Sequence, residues 1–114
     1  MTSLAIFPVP GRELHEVAGV ATPFHIWIKR SIRNLELENE NDYVFFKERL
    51  PHKYAEMLQC SLNVESALLI AGGICDQQKR DGAFLFIRQF YTPAYQQWRK
   101  FINLVRGRST ELPF

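Results

Sequence analysis

The chain has only two cysteines, Cys60 and Cys75, far apart in sequence, too few for the disulfide framework on which small secreted domains rely. No charged-then-apolar leader opens it, so reduced thiols in a cytoplasmic protein are expected. No apolar run approaches the length needed to cross a bilayer. The three histidines include no His-x-x-x-His pair and the cysteines no Cys-x-x-Cys, so neither a metal nor another cofactor is expected. Gly72-Gly73 lacks the Lys-Ser/Thr that follows a phosphate-binding loop, and Gly82 stands alone. His15 beside Glu16 has no serine or cysteine nucleophile near it in sequence, and neither thiol has a cationic neighbour to activate it. Both thiols sit in apolar stretches typical of inert, buried cysteines. These absences point to a binding protein with no catalytic residues. Net charge is also nearly lacking: a formal +2 permits contact with nucleic acid or an acidic protein and compels neither.

What the chain has is bulk. With 46% apolar and 13% aromatic residues in 114, it can bury a core as one domain spanning residues 1–114. Met1 to Gly11 reads as an extended arm interrupted by Pro8 and Pro10. Leu14, Val17 and Ala18 give a short amphipathic helix that Gly19 ends, and Thr22-Pro23 restarts the chain as N-cap and first helical residue. Phe24, Trp27, Ile28, Ile32 and Leu35 then recur at spacings of three and four, one buried helical stripe. Asp42 to Lys47 is aromatic and β-branched, suited to a strand, and Leu50-Pro51-His52 supplies a turn. Tyr54, Glu56, Leu58 and Cys60 fit a second strand at period two, with a helix as the alternative. Asn63 or Ser61 can cap a helix through Val64, Ala67, Leu68 and Ala71, stopped at Gly72-Gly73. Ile74 to Tyr91 holds one helix or two, with Asp81-Gly82 as the expected break. Thr92-Pro93 opens a last helix whose Ala94, Tyr95, Trp98, Phe101, Ile102 and Val105 face should close the core. The fold class is therefore α+β: a mostly helical domain with a helix-turn-helix-like N-terminal unit and a small β-hairpin between Asp42 and Cys60.

Two surfaces stand out. His25, Lys29, Arg30 and Arg33 fall on the outward side of the second helix, opposite Phe24, Trp27, Ile28 and Ile32, where they suit a partner's carboxylates or a phosphate backbone. Glu36, Glu38, Glu40 and Asp42 follow directly and would repel phosphate at that helix's end, which favours a protein partner. The alternative is a solvated face. Farther on, Phe84 to Tyr91 is apolar round more than one helical side, more than a small monomer buries. Phe86, Phe90, Tyr91 and Tyr95 are the expected homo-oligomer or partner interface, with Phe86, pointing away from the Phe84, Ile87 and Tyr91 side, as the intersubunit residue.

The order Arg12, Leu14-His15-Glu16, Phe24, Trp27-Ile28-Lys29-Arg30, Ile32, Glu38, Glu40 and Asp42-Tyr43 resembles the AntA/AntB antirepressor family of temperate phages. The resemblance runs from about Arg12 to Phe46, with looser echoes at Leu62 to Leu69 and Arg88-Gln89-Phe90-Tyr91. It implies a phage or prophage regulator of transcription, made in a bacterial host, that counteracts a repressor and so favours lytic growth. Many antirepressors carry a second domain after this module. This chain is too short to hold one, so binding alone is the expected mode of action. Two other readings stand beside it: a DNA-binding helix-turn-helix regulator using the Thr22 to Leu35 helix, and a phage-encoded inhibitor of another host protein. His15 sits where a helix-turn-helix usually places a small alanine.

Overall fold

The computed structural model describes residues 6–50 and 56–107. Pro8 and Pro10 confine the arm's regular part to the two residues of β1 (Val9–Pro10), an edge position that a missing N–H tolerates. Val9 lies opposite Leu62 at the end of β3 (Glu56–Leu62). β2 (Tyr43–Arg49) runs antiparallel along the other side of β3, Tyr43 facing Leu62 and Arg49 facing Glu56, so the sheet order is β1-β3-β2. The expected hairpin is present, each strand reaching slightly farther along the chain than the sequence pattern suggested. Its connection, with Pro51, His52 and Tyr54, lies outside the described residues. Cys60 and Leu62 occupy the core face of β3 that the period-two pattern assigned, and burial pushes the Cys60 thiol up to about 12.

α1 (Gly11–Ala18) buries Leu14 and Ala18. Gly19 ends it with φ 61°, its N–H donating to the carbonyls of His15 and Glu16, the left-handed stop that glycine takes without strain. α2 (Phe24–Asn34) follows Pro23, but the Thr22 side chain does not cap it. Thr22 instead offers its carbonyl to His15 Nε2 at 2.7 Å. The buried stripe of α2 is also narrower than its spacing implied. Phe24 and Ile28 are buried, Trp27 and Ile32 only half so, and Leu35 is exposed just past the helix.

α3 (Val64–Gly72) is the central element, with Val64, Ala67, Leu68, Ile70 and Ala71 all buried. Asn63 caps it, Oδ1 accepting from Ser66 N–H at 2.8 Å, while Asn63 Nδ2 donates to Asn41 O and ties the helix start to the hairpin. α4 (Gln77–Arg88) is capped by Asp76, Oδ1 accepting from Lys79 N–H at 2.9 Å. It runs unbroken through Asp81-Gly82, contrary to the expected break. An interior glycine costs a helix about 1 kcal/mol, which the burial of Ala83 and Ile87 on the same helix outweighs. Gly82 faces α1, where an added Cβ would find Val17 Cγ1 at 3.9 Å.

α5 (Pro93–Arg106) begins as expected, with Thr92 Oγ1 accepting from Tyr95 N–H at 3.2 Å. It closes the core only with its first turns. Tyr95 is 2% exposed and its hydroxyl accepts the Val64 N–H at 3.0 Å. Arg99 is 3% exposed and its Nε pairs with Glu65 Oε1 of α3. Beyond Arg99 the apolar residues Phe101, Leu104 and Val105 stand in solvent.

Candidate partner-binding site

Three contacts fix the rotation of α2 about its own axis. Phe24 and Ile28 are buried beneath it. The Arg12 guanidinium stacks over the Phe24 ring at 4.5 Å while its Nε donates to Leu58 O at 2.8 Å, joining α1, α2 and β3 through one side chain. The His15 ring packs against Trp27 at 5.1 Å and Phe24 at 5.9 Å. Because Thr22 O can only accept, His15 Nε2 carries a proton. His15 is thus a packing residue between α1 and α2, filling the place where a helix-turn-helix would set its small residue.

With those contacts inward, His25, Lys29 and Arg33 form one exposed stripe along α2, four residues apart. Lys29, Arg30 and Arg33 make no ion pair among the described residues. Arg30 lies roughly 100° round from Lys29, and the structure groups it with Trp27 in a different feature. That feature is a groove of about 490 Å³ between α2 and the turn joining α3 to α4, with Leu69, Ile74 and Lys79 on its far side. Trp27, expected in the core, is half-buried and lines this groove. Cys75, expected to be buried, is exposed there. Sequence periodicity placed Trp27 on the inward side and stopped there; the opposite wall comes from residues 69–79, distant in the chain.

At the end of α2 the chain turns sharply, with Glu36 and Glu40 in left-handed conformation, φ 54° and 68°. Glu38 N–H donates to Asp42 Oδ2 at 2.8 Å and Asn41 Nδ2 to Glu38 Oε2 at 2.7 Å. The acidic exit is therefore a folded turn that follows directly on the C-terminal end of α2.

The aromatic interface expected at Phe86, Phe90, Tyr91 and Tyr95 needs correction. Tyr95 belongs to the core. Phe86 is half-buried, edge-on to Phe90 at 5.3 Å, and Tyr91 packs on Tyr95 at 6.0 Å. The outward residue of α4 is Leu85. At 3.6 residues per turn Phe86 falls only about 60° from buried Ala83, whereas Leu85 falls about 160° away. Among the described residues no group of three or more His, Cys, Asp or Glu gathers as a metal site would require, and no helix is long and apolar enough to cross a membrane.

The family model described as AntA/AntB antirepressor matches residues 9–70, more than half of the chain. The chain belongs to the AntA/AntB antirepressor family. The match is wider than the Arg12 to Phe46 resemblance and covers β1 through most of α3. The AntA/AntB segment therefore supplies the whole His25 to Arg33 face and one wall of the groove, while Cys75, Asp76 and Lys79 come from beyond it. Membership places the chain among phage regulatory antirepressors. No curated protein and no solved structure matches the chain.

Proposed function

We propose that this AntA/AntB protein acts in the host cytoplasm by binding a phage repressor, as a binder rather than an enzyme, with His25, Lys29, Arg30 and Arg33 as the contact face. The observation that carries this reading is the set of exposed cations on α2, held rigidly by Arg12, His15 and Phe24 and unpaired among the described residues. The acidic turn at Glu36 to Asp42 supports a protein partner over DNA, because its carboxylates would meet a phosphate backbone laid along α2. Replacing Lys29, Arg30 and Arg33 together by alanine should change stability by no more than about 0.5 kcal/mol per site, as exposed substitutions do. Capture of the cognate repressor should weaken about tenfold or more. Undiminished capture would reduce the face to a solvated helix side. A DNA-binding regulator is the competing reading, and salt separates the two. Three or four phosphate contacts would weaken binding by about 40- to 150-fold between 50 and 200 mM salt, a steeper drop than the same cations give on a partner's carboxylates, which hold no condensed counterions to release.

Self-association forms part of this proposal, now resting on Leu85 and the outer part of α5, where Leu104 is 81% exposed, in place of Phe86 and Tyr95. Two-fold dimers are the commonest way to cover such a surface. Sedimentation over a wide concentration range is expected to show a dimer that Leu104→Asp shifts toward monomer with the thermal melt unchanged. A wild-type chain that stays monomeric throughout rules it out.

A further inference from the structure

We infer that the groove between α2 and the α3–α4 turn receives an apolar side chain of a protein partner flanked by a carboxylate, the floor of Trp27, Leu69 and Ile74 taking the apolar group and Arg30 and Lys79 the acid. This rests on the reading of the chain as a protein binder and specifies the chemistry that the partner presents. The groove's volume of about 490 Å³ suits one or two side chains, within the roughly 300–1,000 Å³ typical of recognition pockets. Its floor is apolar where a monomer gains nothing by it. Leu69 is 54% exposed on a helix whose other large apolar residues are buried, and Trp27 is only half-buried. Covering such surface is worth roughly 25 cal/mol per Å².

Charge decides the rest. Arg30 stands on the α2 wall without an ion pair among the described residues, and Lys79 stands on the α4 wall, using one Nζ hydrogen on Gly19 O at 3.3 Å. The one carboxylate lining the groove, Asp76, is engaged as the α4 cap through Oδ1. The lining therefore carries a positive surplus that an acidic occupant offsets. Nucleic acid is disfavoured because Leu69 and Ile74 offer nothing to a phosphodiester that loses its water.

Cys75 makes the groove directly testable, being exposed at its edge while Cys60 is buried with its thiol pushed up to about 12. The intact chain is equilibrated with the symmetrical disulfides of the peptides Cys-Gly-Phe-Glu, Cys-Gly-Phe-Lys and Cys-Gly-Ala-Glu under fixed reductant, so that the Cys75 thiolate displaces one peptide thiol, and mixed-disulfide capture at Cys75 is read by intact mass. The Phe-Glu peptide is expected to be captured at least about threefold better than either other. Arg30→Gln with Lys79→Gln should abolish the preference for Glu over Lys, and Leu69→Ser the preference for Phe over Ala, with circular dichroism unchanged. Equal capture of all three peptides overturns the inference, and so does a preference for Phe without one for Glu. Protection of Cys75 from iodoacetamide by a single-stranded oligonucleotide, or by raised protein concentration alone, assigns the groove to phosphate or to a second copy and overturns it too. Capture needs no repressor, so a chain that binds repressor but shows no peptide preference fails here alone. A chain that captures the peptide but no repressor fails on the broader reading.

Discussion

Glu65→Ala is expected to destabilise the fold by about 3–5 kcal/mol, as breaking a buried ion pair from one side does. Arg99→Met is expected to cost under about 1.5 kcal/mol. The asymmetry follows from burial. Arg99 is enclosed between α5 and α3 and its guanidinium stays charged at any working pH. Without Glu65 that cation loses its carboxylate in a place water hardly reaches. The Glu65 side chain is 29% exposed, so without Arg99 it is still partly hydrated. Urea unfolding followed by circular dichroism gives both numbers. Equal and small losses would show that the pair contributes no more than a surface salt bridge, and that α5 is held mainly by the packing of Tyr95 and Trp98.

Alkaline pH should unfold the protein by a route that two residues define. Burial raises the Cys60 thiol from 9.0 to about 12 and the Tyr95 hydroxyl from 10.0 to about 12. Both folded values lie above the unfolded ones, so the stabilisation is complete below about pH 9 and is lost as pH rises toward 12. Each group removes about 1.4 kcal/mol per pH unit across its window. By pH 11 the two together take about 4 kcal/mol, much of the margin of a small domain. Cys60→Ala should flatten the stability profile between pH 9 and 10, and Tyr95→Phe should flatten it only above 10. A wild-type melting temperature unchanged from pH 8 to 11 contradicts the burial of both groups.

Local signals were legible in the sequence to the degree that they are short-range. Asn63 as cap, Gly19 as stop and Thr92 before α5 each depend on a few neighbouring residues, and all three took their expected places. Asp81-Gly82 misled because turn chemistry there competes with a helix already started at Asp76 and anchored by Ala83 and Ile87. Arg99 carried no local signal in the sequence because its partner Glu65 lies 34 residues away. The cationic face of α2 was legible since exposure follows directly from the opposite apolar stripe. The groove was not, since it exists only where residues 18–35 meet residues 69–79. Phe86 and Tyr95 show the same limit: surplus aromatic residues were counted correctly, but which of them the rest of the chain covers depends on helix packing.

The antiparallel seam between Val9 and Leu62, and the packing of α1 on α4, set an order of events on the ribosome. β1 and α1 emerge before the elements they pack on, β3 and α4, and synthesis adds only about 5–20 residues per second. For several seconds the apolar side of α1, with Leu14 and Ala18, therefore waits bare, and the middle hairpin and α3 must assemble before the N-terminus can settle. A nascent chain halted after Ile70 would already carry every residue of the family segment and still lack the helix that covers its first one.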